Sequence, residues 1–294
     1  MNKSLNWIGG LALVSLLSFV SKLPGGVNQA ALAQVKAPVA KTAPTRSNYT
    51  VQNQRDGRFK VVYVKTEDQS SLQLMKAYHQ NRFFNKIGKV ITSKINLPRN
   101  ITLVIQDCGE ANAFYEASKH AIIMCNELTK RNYQSFRQAG YSNDRAWESA
   151  INTTIFSFYH EAGHMLIHEL NLPIVGKEED IADQFSAYFL LNNDPSEGRT
   201  MSGNIVISAA KLFALRESNP SPAALMDEHS LNQQRFYNLV CTLYGSAPET
   251  YQELVQKLDY SESRLAGCRA ESEQIASSWK RLLKPYLAQS ERGW

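Results

Sequence analysis

His160 and His164, with Glu161 following the first, form the run His160-Glu161-Ala162-Gly163-His164, an H-E-x-x-H pattern within a stretch that reads as helix. Positions four apart lie on one face of a helix, so both imidazoles can reach one divalent ion while the Glu161 carboxylate stands beside its open position. The chemistry open to such a group is hydrolysis: zinc lowers the pKa of a bound water to ~7, and the carboxylate takes the proton. A catalytic zinc has three protein ligands and keeps the fourth position for water, so two histidines call for a partner.

Glu179 is the preferred partner. It opens a helix after the Pro173 and Gly176 turn, 15 residues beyond His164 (179 − 164). Glu178, Asp180 and Asp183 are near alternatives, but only Glu179 has Asp183 four residues on and on the same helix face, where it can accept a hydrogen bond from a zinc-bound imidazole. His168 continues the histidine stripe, yet at about 1.5 Å of rise per residue it lies too far along the axis to share an ion with His160. His79 and His120 read as isolated, structural histidines.

The E-x-x-x-D pattern downstream of H-E-x-x-H resembles the gluzincin, or thermolysin-like, peptidases. Y-H-E-A-G-H-M-L-I-H-E-L-N-L-P from Tyr159 and G-K-E-E-D-I-A-D-Q-F from Gly176 are similar to an uncharacterised bacterial metallopeptidase family. D-C-G-E-A-N-A-F-Y from Asp107 and D-E-H-S-L-N-Q-Q-R-F-Y-N from Asp227 extend the resemblance over roughly residues 61–245. It implies His160, His164 and Glu179 as metal ligands, Zn2+ as cofactor, and Glu161 as the general base that later protonates the leaving amine. The tetrahedral oxyanion also needs a donor. His229 is the candidate, with Tyr237 and Arg235 behind it, although its spacing departs from that of the thermolysin-like group.

The elements that must position these groups are legible in outline. Phe59 to Val64 and Ile101 to Ile105 alternate as strands, Ala121 to Cys125 reads as a third, and Asp107 to His120 as a connecting loop. Ser71 to Ile95 has helical spacing up to Pro98. Asp144 to Leu170 is the longest expected helix, with Trp147, Ile151, Ile155 and Phe158 as its buried stripe before the motif. Helices follow over residues 178–191, 204–217, 231–243, 248–257 and 271–286. The aromatics Phe156, Phe158, Tyr159, Phe185, Tyr188 and Phe189 read as core between two packed helices rather than as a substrate pocket.

Residues 1–33 read as a secretory signal peptide: Lys3, the apolar run from Ile8 to Val20, and Ala31-Leu32-Ala33 before Gln34. That run is shorter than the ~18 residues expected of a membrane span, and no later segment is apolar enough for one. Residues 34–50 read as a flexible linker. Of the 294 residues, 43% are hydrophobic and 20% charged, an ordinary globular balance. Removal of Lys3 and Lys22 with the signal takes the net charge from +5 to +3 (5 − 2), too mild for a nucleic-acid partner. Cys108, Cys125, Cys241 and Cys268 suit disulfides in an exported protein, with Cys108–Cys125 and Cys241–Cys268 favoured because each pair is local; a thiolate zinc site would want a C-x-x-C spacing.

The expected protein is therefore α+β and zincin-like, with a small mixed sheet and the active-site helix in residues 51–172 and a mainly helical lobe in 173–294. It is expected to be exported to the periplasm or the exterior and to hydrolyse a peptide or protein substrate. A degenerate zinc domain that binds a peptide or protein without cutting it is the alternative, and a non-peptide amide hydrolase a third.

Overall fold

The computed structural model describes residues 57–288 apart from 195, 197, 198, 217–220 and 259. The expected signal peptide and linker lie outside the described residues. Strand β1 (Phe59–Tyr63) is followed by helices α1 (Gln69–Gln80) and α2 (Phe83–Lys94), then β2 (Ile101–Gln106), β3 (Ala113–Glu116), β4 (Ala121–Cys125) and α3 (Asn126–Gln138). The remainder is helical: α4 (Asn143–Glu169), α5 (Glu178–Asn192), α6 (Thr200–Leu215), the short α7 (Pro222–Met226), α8 (Asn232–Ser246), α9 (Pro248–Gln256) and α10 (Glu262–Leu283). The protein is mixed α+β, with one small mixed sheet.

The sheet order is β1-β2-β4-β3; β1, β2 and β4 run parallel, while β3 lies antiparallel to β4 at the edge. Parallel strands buried on both faces read as continuous apolar runs, and every residue of β4 is buried. Ile122 and Met124 face the main core, while Ile123 and Cys125 join Val104, Cys108 and Phe114 on the other side.

Helix α4 packs on α3, α5 and α6 and against β3 and β4. Its apolar residues are spread around the axis because neighbours cover it on nearly every side. Tyr159 meets Phe189 at 5.2 Å and Phe185 is buried beside Phe189, so these aromatics are core between α4 and α5, while Phe158 is buried against Phe59 of β1. Gly163 lets the two helices approach. A Cβ there would come within 3.1 Å of the Ala182 Cα and 3.3 Å of the Phe185 ring.

Four elements differ from the sequence reading. The single helix expected over residues 71–95 is broken at Arg82, whose φ of 52° is left-handed, with the Arg82 N–H returning to the His79 carbonyl. Strand β3 stands inside the segment expected to be loop. It is four residues long and half-buried throughout, so it offers no alternation to read. Helix α3 was not expected at all, because its buried stripe is largely polar: Thr129 bonds Thr154 at 2.7 Å and Asn132 bonds Thr153 at 3.0 Å. Helix α10 also begins nine residues before its expected start (271 − 262), at an N-cap in which Ser261 accepts from the Arg264 N–H.

Both favoured disulfides form. Cys108–Cys125 pins the loop after β2 to the end of β4, and Cys241–Cys268 ties α8 to α10. Glu127 accepts from the Cys108 and Gly109 N–H groups, completing that loop. A bond closing 17 residues removes loop entropy from the unfolded chain worth about 3 kcal/mol. A Cys108→Ser, Cys125→Ser protein is expected to lose roughly that much stability in denaturant titration; an unchanged midpoint and slope would refute it.

Candidate metal centre

The first turn of α5 and the middle of α4 meet because the chain reverses through Gly176, whose φ of 107° favours glycine. Glu178, Glu179 and Asp180 then occupy the first turn of α5, where the exposed N–H groups of the helix end favour negative charge. The turn sets these carboxylates against the histidine face of α4.

Glu179 is the centre of the arrangement. One carboxylate oxygen lies 3.0 Å from His160 Nε2 and 2.9 Å from His229 Nε2, and the other is 3.4 Å from His164 Nε2. The two motif histidines bring their Nε2 atoms within 3.2 Å of each other. Their Nδ1 atoms are taken by different carboxylates: His160 by Asp183 at 2.9 Å, His164 by Glu178 at 2.7 Å. Asp183 is in turn gripped by Arg235 through Nε at 2.7 Å and Nη2 at 2.8 Å. The Arg235 guanidinium lies over the Phe213 ring, 4.0 Å from its centre.

Glu161, 6% exposed, points into the same space and accepts a hydrogen bond from the Tyr115 backbone N–H on β3. Burial pushes its carboxyl upward, and the neighbouring imidazoles oppose the rise. Burial also works against a charge on His160 and His164, but the hydrogen-bonded carboxylates outweigh it and hold them up at about 9 and about 10. Glu179 is buried too, which would raise it; the three imidazoles hold it well below the usual carboxylate range. Asp183 shows the same opposition, burial raising it and Arg235 and His160 bringing it down. A place that favours positive charge on imidazole this strongly also suits a divalent cation, which competes for the same nitrogen lone pairs.

Of the residues expected from the sequence, His160, Glu161, His164, Glu179, Asp183 and His229 are brought together. His160, Glu179 and His229 offer ligand atoms all within 4.8 Å of one another. Of the reserve candidates for the oxyanion donor, Arg235 is bound to Asp183, and Tyr237 lies against Phe236 and Tyr260. His168 lies outside this cluster, 3.2 Å from Glu178 and with its ring 5.9 Å from that of Tyr115. His120 is not isolated: its Nδ1 is 2.6 Å from Glu169, which also holds the Tyr115 hydroxyl at 2.6 Å and Arg99 at 3.0 Å. This buried carboxylate anchors the edge strand to the end of α4.

Two partners escaped the sequence reading. Glu178, weighed only as a rival ligand, is the carboxylate behind His164. Asp227, behind His229 at 3.1 Å, was signalled only by its place two residues upstream.

Histidine nitrogens, each backed by a carboxylate on its far nitrogen, together with the Glu179 carboxylate, are a donor set that fits a divalent transition metal. Residues 63–283, more than half of the chain, match the family described as "Putative metallopeptidase". The chain belongs to that family. As a member of this metallopeptidase family it is expected to use a metal and to act on peptide bonds, and His160, Glu179 and His229 form a site able to hold the ion. No curated protein and no solved structure matches the chain. The two disulfides are compatible with export, and no described helix is long and apolar enough to cross a membrane.

Proposed function

We propose that this metallopeptidase is a zinc-dependent hydrolase of gluzincin type with a zincin-like fold, and that residues 51–294 form its working domain after removal of an export signal at residues 1–33. The observation that carries the reading is the convergence of the His160 and His164 Nε2 atoms on Glu179, with the Glu161 carboxylate beside them. His160, His164 and Glu179 would hold the zinc, which supplies a Lewis acid and a water acidified to near neutrality. Glu161 would supply the carboxylate that takes up a proton during hydrolysis and returns it to the leaving amine. Its burial raises the carboxyl and the neighbouring imidazoles oppose the rise, a balance that suits a group which must both take and return a proton. His229 would donate to the oxyanion.

Edge strand β3 gives the substrate a place to lie. Among the described residues β3 lies at the edge of the sheet, and its Tyr115 N–H points to Glu161 rather than to β4. An extended peptide pairing with that edge would present its backbone to Glu161.

The test is the zinc content of protein purified without chelators, measured beside His160→Ala and Glu179→Ala. About one zinc per chain is expected in the wild type. Glu179→Ala is expected to weaken zinc binding by at least ~100-fold, since it removes a ligand rather than one of the outer partners that cost 10–100-fold. Equal affinity in Glu179→Ala would remove it from the ligand set, and a wild type without affinity for zinc would end the reading.

A further inference from the structure

The three imidazoles around Glu179 share one arrangement. Each directs Nε2 at the Glu179 carboxylate and has Nδ1 on a carboxylate of its own: Asp183 for His160, Glu178 for His164, Asp227 for His229. A carboxylate on the far nitrogen fixes the tautomer that leaves the near nitrogen free to ligate. Zinc bonds of 2.0–2.1 Å in a tetrahedron place neighbouring ligand atoms about 3.3 Å apart. One Glu179 oxygen lies 3.0 Å from His160 and 2.9 Å from His229, the other lies 3.4 Å from His164, and the His160 and His164 Nε2 atoms are 3.2 Å apart. His229 thus stands with His160 and Glu179 in a set whose ligand atoms all lie within 4.8 Å of one another.

We propose that His229 is a fourth protein ligand in the resting protein, and that the segment 227–230 acts as a gate which must swing away before water can reach the metal. The proposal rests on the reading that this cluster binds a metal. The gate is fastened to the start of α5 by two side-chain bonds, Lys177 Nζ to the Asp227 carbonyl at 3.2 Å and Ser230 Oγ to Asp180 at 3.0 Å. Asp227, Glu228 and the side chain of His229 are exposed to solvent, so the segment can leave without unfolding a helix. A substrate that displaced His229 would leave its imidazole released beside the site, able to face the oxyanion. Water access, and with it turnover, becomes conditional on an occupied cleft.

The experiment uses the full chain loaded with zinc for X-ray absorption and with Co2+ for visible spectroscopy. Wild type is expected to show three imidazoles in a four-coordinate site; His229→Ala is expected to show two imidazoles with an added oxygen, an altered Co2+ spectrum, and zinc affinity at least ~10-fold weaker. Two imidazoles in the wild type, or an affinity and spectrum unchanged in His229→Ala, overturn the gate while leaving the His160, His164 and Glu179 site intact. Failure of the wild type to bind zinc at all overturns both the gate and the reading beneath it.

Discussion

Glu161→Gln protein is expected to retain about one zinc per chain and to cleave a peptide library ~10²–10⁴-fold more slowly than wild type, the range over which a positioned acid–base group contributes. Glu161 is close to the metal ligands but contributes no bond to the cluster around Glu179. Glutamine preserves its volume, and its amide oxygen can still accept from the Tyr115 N–H. The substitution removes only the capacity to take and return a proton. Single-turnover cleavage with matched zinc content is the measurement. Equal rates would refute the general-base assignment whatever the fate of the metal site, and lost zinc would mean that Glu161 belongs among the ligands.

The second large effect is expected at Asp183. It is buried, receives two hydrogen bonds from Arg235, and accepts a third from His160 Nδ1. Truncation to Ala leaves the Arg235 charge in an apolar setting beside Phe213, so metal-free protein is expected to lose about 3–5 kcal/mol. Zinc affinity should fall 10–100-fold as well, because His160 loses the group that orients its ring. Arg235→Met provides the contrast: it unpairs the carboxylate yet leaves Asp183 on His160, so stability should drop with a smaller loss of affinity. Because the Asp183 carboxyl is held below that of an unfolded aspartate, its contribution is complete above the ordinary carboxylate range near pH ~4 and fades as pH falls through the depressed value. The stability gap between wild type and Asp183→Ala should therefore narrow in acid. A gap that widened there, or zinc affinity equal to wild type, would contradict the assignment.

How much of this could be read from the chain depended on whether the signal was periodic. The helix spacing of His160 and His164, and the apolar stripe leading to them, are local facts, and α4 was visible with nearly its true bounds. Glu179 and Asp183 were legible because they share a face of one helix that opens after a glycine turn. Helix α3 was hidden because Thr129 and Asn132 are buried through hydrogen bonds to α4, which hydrophobic patterning cannot register. Strand β3 was hidden by its brevity. The partners of His164 and His229 depend on how α5 and the segment before α8 dock, a tertiary matter that spacing alone does not decide.

The close approach at Gly163 has a consequence for how this site tolerates change. Glu178, Glu179 and Asp183 each answer to a particular histidine nitrogen, and all three ride on one helix whose position along α4 is set where Gly163 meets Ala182 and Phe185. A single residue added within the first turn of α5 would rotate the remainder of that helix by about 100° and mismatch the downstream carboxylate, whereas an insertion before Gly176 leaves the helix in phase. The two sides of that glycine therefore differ: sequence length is free to drift upstream of it and is locked downstream, so the lineage of this domain should record its insertions on one side only.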